Sequence, residues 1–131
     1  MDKNWLEHYP IGVRHTIDTA AFESVVAVID RACEEFGDRA AFSCMDTTLS
    51  YADVDRHSRA FAAYLQKELD MQPGERLAIM MPNCLQYVIA LFGALRAGLV
   101  VVNINPLYTA RELEHQLVDA DVKTLLVMEN F

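Results

Sequence analysis

The chain is short of glycine, and the glycines it has stand in the wrong places for one common chemistry. Gly12, Gly37, Gly74, Gly93 and Gly98 are the whole set in 131 residues. None completes G-x-G-x-x-G or G-x-x-x-x-G-K-[ST], so no glycine-rich loop offers its backbone N–H groups to a phosphate. This argues against a Rossmann dinucleotide site. Positive charge is equally scarce: 11 Lys and Arg stand against 19 Asp and Glu, a formal net charge of −8. Such a surface repels phosphate backbones, and nucleic-acid binding is not expected. Cysteine is limited to Cys33, Cys44 and Cys84, odd in number and without a C-x-x-C pair. They read as buried free thiols in a reducing cytosol.

Long apolar runs are missing too. The longest candidate, Val88 to Ile104, is interrupted by Arg96, Gly98 and Asn103 and falls short of the roughly 20 apolar residues of a spanning helix. No secretory signal is legible, because Lys3, Glu7, His8, Arg14, His15 and Asp18 break the N-terminal region. There is no fixed-period repeat and no low-complexity tract. The expectation is a soluble, cytoplasmic chain.

What is present is an apolar core, with 53% hydrophobic residues. It centres on Arg76 to Pro106, where the apolar runs Leu77 to Met81 and Leu99 to Ile104 flank one long helical pattern. Strand, helix and strand in about thirty residues is the size of a βαβ unit with parallel strands. Nearly every position is apolar, so both sheet faces are expected to be covered, with Leu99 to Val102 as the central strand.

The remaining chain surrounds this unit. Residues 1 to 20 lack periodicity, but Trp5, Leu6, Tyr9, Pro10 and Ile11 suggest an extended arm lying on the body rather than a free tail. Phe22, Val25, Val26, Ile29, Cys33 and Phe36 share one helical face, closed by Gly37. Ala40 to Met45 and Thr48 to Tyr51 read as a strand pair around Asp46-Thr47. Ser50 can cap the next helix with Asp53 three residues on; Val54, Ser58, Phe61, Leu65 and Leu69 line its inner face, and Asp55 and Arg59 pair on its outer one. Pro73-Gly74 turns the chain into the Arg76 strand, and Asn83 is the expected N-cap of the helix Cys84 to Ala97. Thr109 and Glu112 form a capping box for a further helix, with Leu113, Leu117 and Ala120 inward, and Thr124 to Met128 is a last strand. From Arg76 the order is β-α-β-α-β. The chain stops at Phe131, soon after a buried-looking strand, which suggests a piece of a larger protein.

Tests for chemistry mostly return structural readings. His8, His15, His57 and His115 have no His or Cys at ligand spacing, and Glu114-His115 lacks the second His of a zinc protease motif. Asp53-x-Asp55 could be imagined gripping Mg²⁺, but the two point to different sides of a helix, one as a cap and the other as a surface charge. Ser43, Ser50 and Ser58 lack a G-x-S-x-G setting, and His57 reads as a half-buried packing residue. Asn103 and Asn105 have some geometric appeal, because ligands of open α/β sheets sit beyond strand carboxyl ends. Asn before Pro is also ordinary turn chemistry.

Two stretches carry a resemblance. Leu49-Ser50-Tyr51-Ala52-Asp53-Val54 resembles the first core motif of the adenylate-forming enzymes, L-[TS]-Y-x-[ED]-L. Leu95-Arg96-Ala97-Gly98, followed by the apolar Leu99 to Ile104 and by Pro106, resembles the second. Trp5-Leu6 with Tyr9-Pro10, Ser58 to Leu65, and Asn105 to Leu117 are similar to bacterial long-chain fatty-acid–CoA ligases in particular. The resemblance covers essentially all of the chain.

It implies the partial N-terminal subdomain of an adenylate-forming fold. Residues 1 to 20 would be the arm, and residues 21 to 131 an incomplete α/β subdomain with a parallel β-α-β-α-β core over 76 to 128, preceded by helix, short strand pair and helix. For the full-length enzyme it implies a fatty acid, ATP with Mg²⁺, and CoA as co-substrate. The family's phosphate-binding loop with its Lys, its Tyr/Thr/Glu segment, its ribose-binding Asp and its mobile-domain Lys have no counterpart in these 131 residues. No catalytic, cofactor-binding or metal residue is therefore transferred, and no cofactor is expected to be held by this piece alone. A homodimer and peripheral contact with the inner face of the cytoplasmic membrane are open alternatives, raised by the arm and the incomplete sheet. A stand-alone flavodoxin-like domain fits poorly, because the sheet would end uncovered.

Overall fold

In the computed structural model, which describes residues 4–129, two helices and a small hairpin lead into a parallel sheet. The elements are α1 (Val25–Phe36), β1 (Ala40–Cys44), β2 (Thr47–Ser50), α2 (Tyr51–Lys67), β3 (Arg76–Met80), α3 (Leu85–Arg96), β4 (Val100–Ile104), α4 (Ala110–Asp119) and β5 (Thr124–Val127). The expected α/β class and β-α-β-α-β core are both present. A short 3-10 helix, Asn4–His8, precedes them, so the N-terminal region is not uniformly extended. Beyond it, Ile11 and Ile17 project into solvent, and Trp5 is about half exposed. Met1 to Lys3 of the expected arm, and Asn130 and Phe131 at the other end, lie outside the described residues.

Local chemistry fixes the helix starts. Ser24, with extended backbone, accepts from the Ala27 N–H, so α1 begins at Val25. Phe22 is consequently not on the α1 face; it lies under the Arg31 guanidinium, 5.5 Å from ring centroid to Cζ. Ser50 and Asp53 make the reciprocal capping box of α2, and Thr109 and Glu112 that of α4. At α3 the expectation fails. The cap residue is Cys84, which makes no side-chain cap bond, while Asn83 stays in the preceding turn. Leu69 lies past the end of α2 and is exposed.

β1 and β2 form the expected antiparallel hairpin, with a positive φ of 52° at Met45 in its two-residue loop. β3 pairs in parallel with both β4 and β5, giving the order β4-β3-β5. The valine-rich β4 is thus an edge strand and β3 is the centre. Val100 on β4 is 48% exposed, whereas Leu77 to Met80 on β3 are all below 8%. The cause is topological: one crossover carries the chain from β3 to one flank, and the next carries it back past β3 to the other. An apolar run reveals that a strand is covered, but not which strands lie beside it.

Alternation along β3 divides the core into two layers. Leu77 and Ile79 pack with Ala62 and Leu65 of α2 and Ala90 and Ala94 of α3. Ala78 and Met80 face the other way, with Ile104 and, at the margin, Leu113 and Leu117 of α4. Full burial of a side chain such as Leu77, Ile79 or Leu65 contributes about 1.5–3 kcal/mol. α3 is sandwiched between α2 and the sheet, and small residues let it approach closely. A Cβ added at Gly93 would stand 2.8 Å from Phe61 Cδ1 and 3.0 Å from the Ser58 carbonyl.

Candidate functional site

The α3–β4 joint carries the largest concentration of charge near the core. Arg96, in the last turn of α3, has a side chain only 6% exposed. A guanidinium so placed needs anionic partners. Its Nη1 reaches Asp30 Oδ1 of α1 at 2.6 Å, and its Nη2 reaches Asp55 Oδ1 of α2 at 2.9 Å. Arg59 approaches from solvent, donating from Nε to both Asp55 oxygens at 2.8 and 3.0 Å and from Nη2 to Asp30 at 3.2 Å. Two arginines and two aspartates therefore bind three helices together. The Asp55 hydrogen bond holds the Arg59 guanidinium above its already high range. Cys33 sits beside the cluster, where burial first, and then the Asp55 charge, push its thiol up.

Sequence reasoning placed Asp55 and Arg59 as a surface pair, and their i,i+4 bond is present. It missed that Asp55 also faces Arg96 and Asp30. A signal existed: Arg96 is the one charge in an otherwise apolar helix, and Asp30 borders the apolar stripe of α1. Chemically the cluster is a clamp. Each carboxylate is held by two guanidiniums, so neither is free to ligate a metal.

The turn into β4 completes the joint. Gly98 has φ +79°, and a Cβ there would come within 3.1 Å of Pro73 Cβ. Its carbonyl accepts from Gly74 N–H at 2.8 Å, while Val100 N–H donates to the Glu75 carbonyl at 2.8 Å. Arg96 and Gly98, the two most distinctive residues of the second core motif, are thus explained by packing. Ser50 and Asp53 of the first motif serve as a cap, whose hydrogen bonds from the Ser50 side chain and backbone hold Asp53 below the usual carboxylate range. Glu112 is lowered in the same way by Thr109.

At the carboxyl ends of the strands, the two asparagines are spoken for. Tyr87 Oη donates to Asn103 Oδ1 at 3.0 Å, and Gln116 Nε2 donates to the Asn103 carbonyl at 3.0 Å. Asn105 Oδ1 accepts from Leu107 N–H at 3.0 Å, closing the turn at Pro106. These bonds tie α3, β4 and α4 at the end of the sheet where open α/β folds receive ligands. Nearby, Phe42, Ser43, Cys44, Asn83, Cys84, Leu85, Tyr87 and Val88 line an open cleft between the hairpin and the start of α3. His57 is exposed rather than half-buried, with Nε2 3.2 Å from Arg56 Nη2. It lies on the outer side of α2, turned away from the Val54–Ser58 contact with the core.

Among the described residues no group of three His, Cys, Asp or Glu could hold a metal ion. Asp53 is committed to its cap and Asp55 to two arginines, so the residues present do not fit Mg²⁺. Among the same residues, no helix is long and apolar enough to cross a membrane.

An α/β subdomain with a β4-β3-β5 parallel core and two structural joint motifs defines a class, and the comparisons identify it: residues 29–130 match the AMP-binding enzyme family, to which this chain belongs. The N-terminal subdomain of Klebsiella oxytoca NpsA shares the fold, with a TM-score of 0.79 at 22% identity, covering 82% of this chain and 28% of that one. Unliganded O-succinylbenzoate coenzyme A synthetase from Bacillus subtilis gives 0.75 at 23%, covering 79% and 22%.

Within the family, the chain is similar to curated long-chain-fatty-acid–CoA ligases. It is 50% identical over all 131 residues to that of Haemophilus influenzae and 48% to that of Yersinia pestis, spanning 23% of the length of each. To the Bacillus subtilis ligase it is 36% identical over 127 residues, 97% of this chain and 22% of that protein.

Proposed function

We propose that the chain is the N-terminal scaffold of a long-chain fatty-acid–CoA ligase and contributes no catalytic residue of its own. End-to-end similarity to curated ligases, at up to 50% identity, is the observation that carries this reading. In the complete enzyme a fatty-acid carboxylate attacks the α-phosphorus of ATP, releasing diphosphate and leaving acyl-adenylate. The thiol of CoA then attacks the acyl carbon and displaces AMP. The first step needs neutralised phosphate charge, and the second needs a positioned thiolate beside a good leaving group. ATP and Mg²⁺ would be bound by residues outside this chain, and the enzyme would work in the cytoplasm. What this chain supplies is rigidity: β3 at the centre, α3 wedged against it, and the charged clamp fixing α1, α2 and α3.

ATP–pyrophosphate exchange with a long-chain fatty acid tests the assignment. The complete gene product is expected to catalyse exchange and residues 1–131 alone to be inactive. Absence of exchange in the complete product would remove the ligase reading.

A second reading, self-association or contact with a membrane surface, is favoured by two exposed features. The outer edge of β5 has no strand partner among the described residues, and Trp5, Ile11 and Ile17 present apolar surface. Light scattering on the complete gene product, with and without residues 1–20, addresses it; a monomer in both forms eliminates the arm as an association device.

A further inference from the structure

Two of the three cysteines line the same cleft at the start of α3. Cys44, the last residue of β1, and Cys84, the N-cap of α3, both line it, together with Phe42, Asn83 and Tyr87. Cys44 Sγ lies 3.7 Å from the Asn83 carbonyl oxygen. That carbonyl belongs to the peptide leading directly into Cys84, and all described peptides are trans. In a trans peptide the oxygen and the next Cα are about 2.8 Å apart, so Cys44 Sγ is within about 6.5 Å of Cys84 Cα. A rotamer change with a small movement of the hairpin loop covers that gap.

We propose that Cys44 and Cys84 form a thiol–disulfide modification site, closed to an intramolecular disulfide by a low-molecular-weight disulfide such as oxidised glutathione. Both side chains are partly accessible to such a reagent. Neither is committed elsewhere: Cys84 makes no cap hydrogen bond, and the Cys44 contact is long and weak. Cys33, on α1 beside the Asp55 charge, does not line this cleft and provides an internal control.

The chemistry balances in two exchanges. Cys84 thiolate attacks one sulfur of the external disulfide, whose S–S bond breaks and releases one thiol. Cys44 thiolate then attacks Cys84 Sγ in the mixed disulfide and expels the second thiol. The protein gives up two protons and two electrons, and the external disulfide is reduced to two thiols. The new bond ties the β1–β2 hairpin to the first turn of α3 and brackets the Pro82-Asn83 turn at the end of the central strand.

The test is oxidation by excess oxidised glutathione, in native buffer and in urea, followed by alkylation and peptide mapping. In native buffer the chain is expected to lose two of its three thiols, with one Cys44–Cys84 linkage and Cys33 alkylated. In urea, linkages to Cys33 appear as well. Cys33→Ala is expected to oxidise as the parent does, whereas Cys84→Ala leaves Cys44 without an internal partner. Retention of three free thiols in native buffer overturns the proposal. So does a native linkage pattern matching that in urea.

Discussion

Replacing Arg96 by Met removes one guanidinium from a site where its side chain is 6% exposed and leaves Asp30 and Asp55 facing each other. Breaking a fully buried pair from one side costs about 3–5 kcal/mol, and an exposed pair about 0–1 kcal/mol. This case lies between. The carboxylates are 34% and 30% exposed, so water reaches them, and Arg59 still bonds both. The expected loss is about 2–3 kcal/mol, a large part of the 5–15 kcal/mol typical of a domain. With a urea slope of about 1–3 kcal/mol per molar, the unfolding midpoint falls by roughly 0.7–3 M. Arg96→Lys recovers only part, because a single ammonium cannot reproduce the two-armed contact. Adding Asp55→Asn to Arg96→Met restores some stability by removing one of two like charges left sharing Arg59 alone, a non-additivity that a double-mutant cycle reads directly. A midpoint shift equivalent to less than about 0.5 kcal/mol for Arg96→Met would refute the clamp, since that is the size of a surface change.

Other consequences are open to the same unfolding assay. Gly93→Ala brings a methyl against Phe61 and the Ser58 carbonyl and is expected to destabilise by about 1–3 kcal/mol, with Gly93→Val worse. Gly98→Ala places a side chain at φ +79° against Pro73, for a loss of about 1–3 kcal/mol. Ser50→Ala or Thr109→Ala removes a cap and costs about 0.5–2 kcal/mol. Asp53 and Glu112 have carboxyls lowered below their unfolded values, so their contribution is complete above the ordinary carboxylate range of about 4 and is lost as pH falls through the lowered values. Asp53→Asn with Glu112→Gln should flatten that acid limb of stability against pH; an unchanged limb would refute the assignment.

What was legible in the sequence was local. Capping boxes at Ser50 and Thr109, the β1–β2 strand pair (its turn expected at Asp46-Thr47 and found one residue earlier, at Met45-Asp46), and the turn at Gly74 depend on residues within a few positions of one another. Asn83 suited the cap of α3 by residue type, yet the helix takes Cys84, whose side chain makes no cap bond, so cap preference alone did not place that boundary. Strand order was hidden because Val100 to Val102 reads as covered whether its strand is central or at an edge. The clamp was hidden because its four members come from three helices and meet only after packing. Arg96 was legible as a motif residue, but its partners were not. The family motifs therefore marked where the chain is held together, which is why they yielded no chemistry of their own.

The scaffold claim is tested most directly by pyrophosphate exchange in the complete gene product carrying Arg96→Met, with rates normalised to folded protein. At a temperature where the variant is folded, kcat and KM for ATP and fatty acid are expected to match the parent, while thermal inactivation is faster. A tenfold fall in kcat per folded molecule would contradict it, placing Arg96 in the catalytic machinery instead of in the clamp.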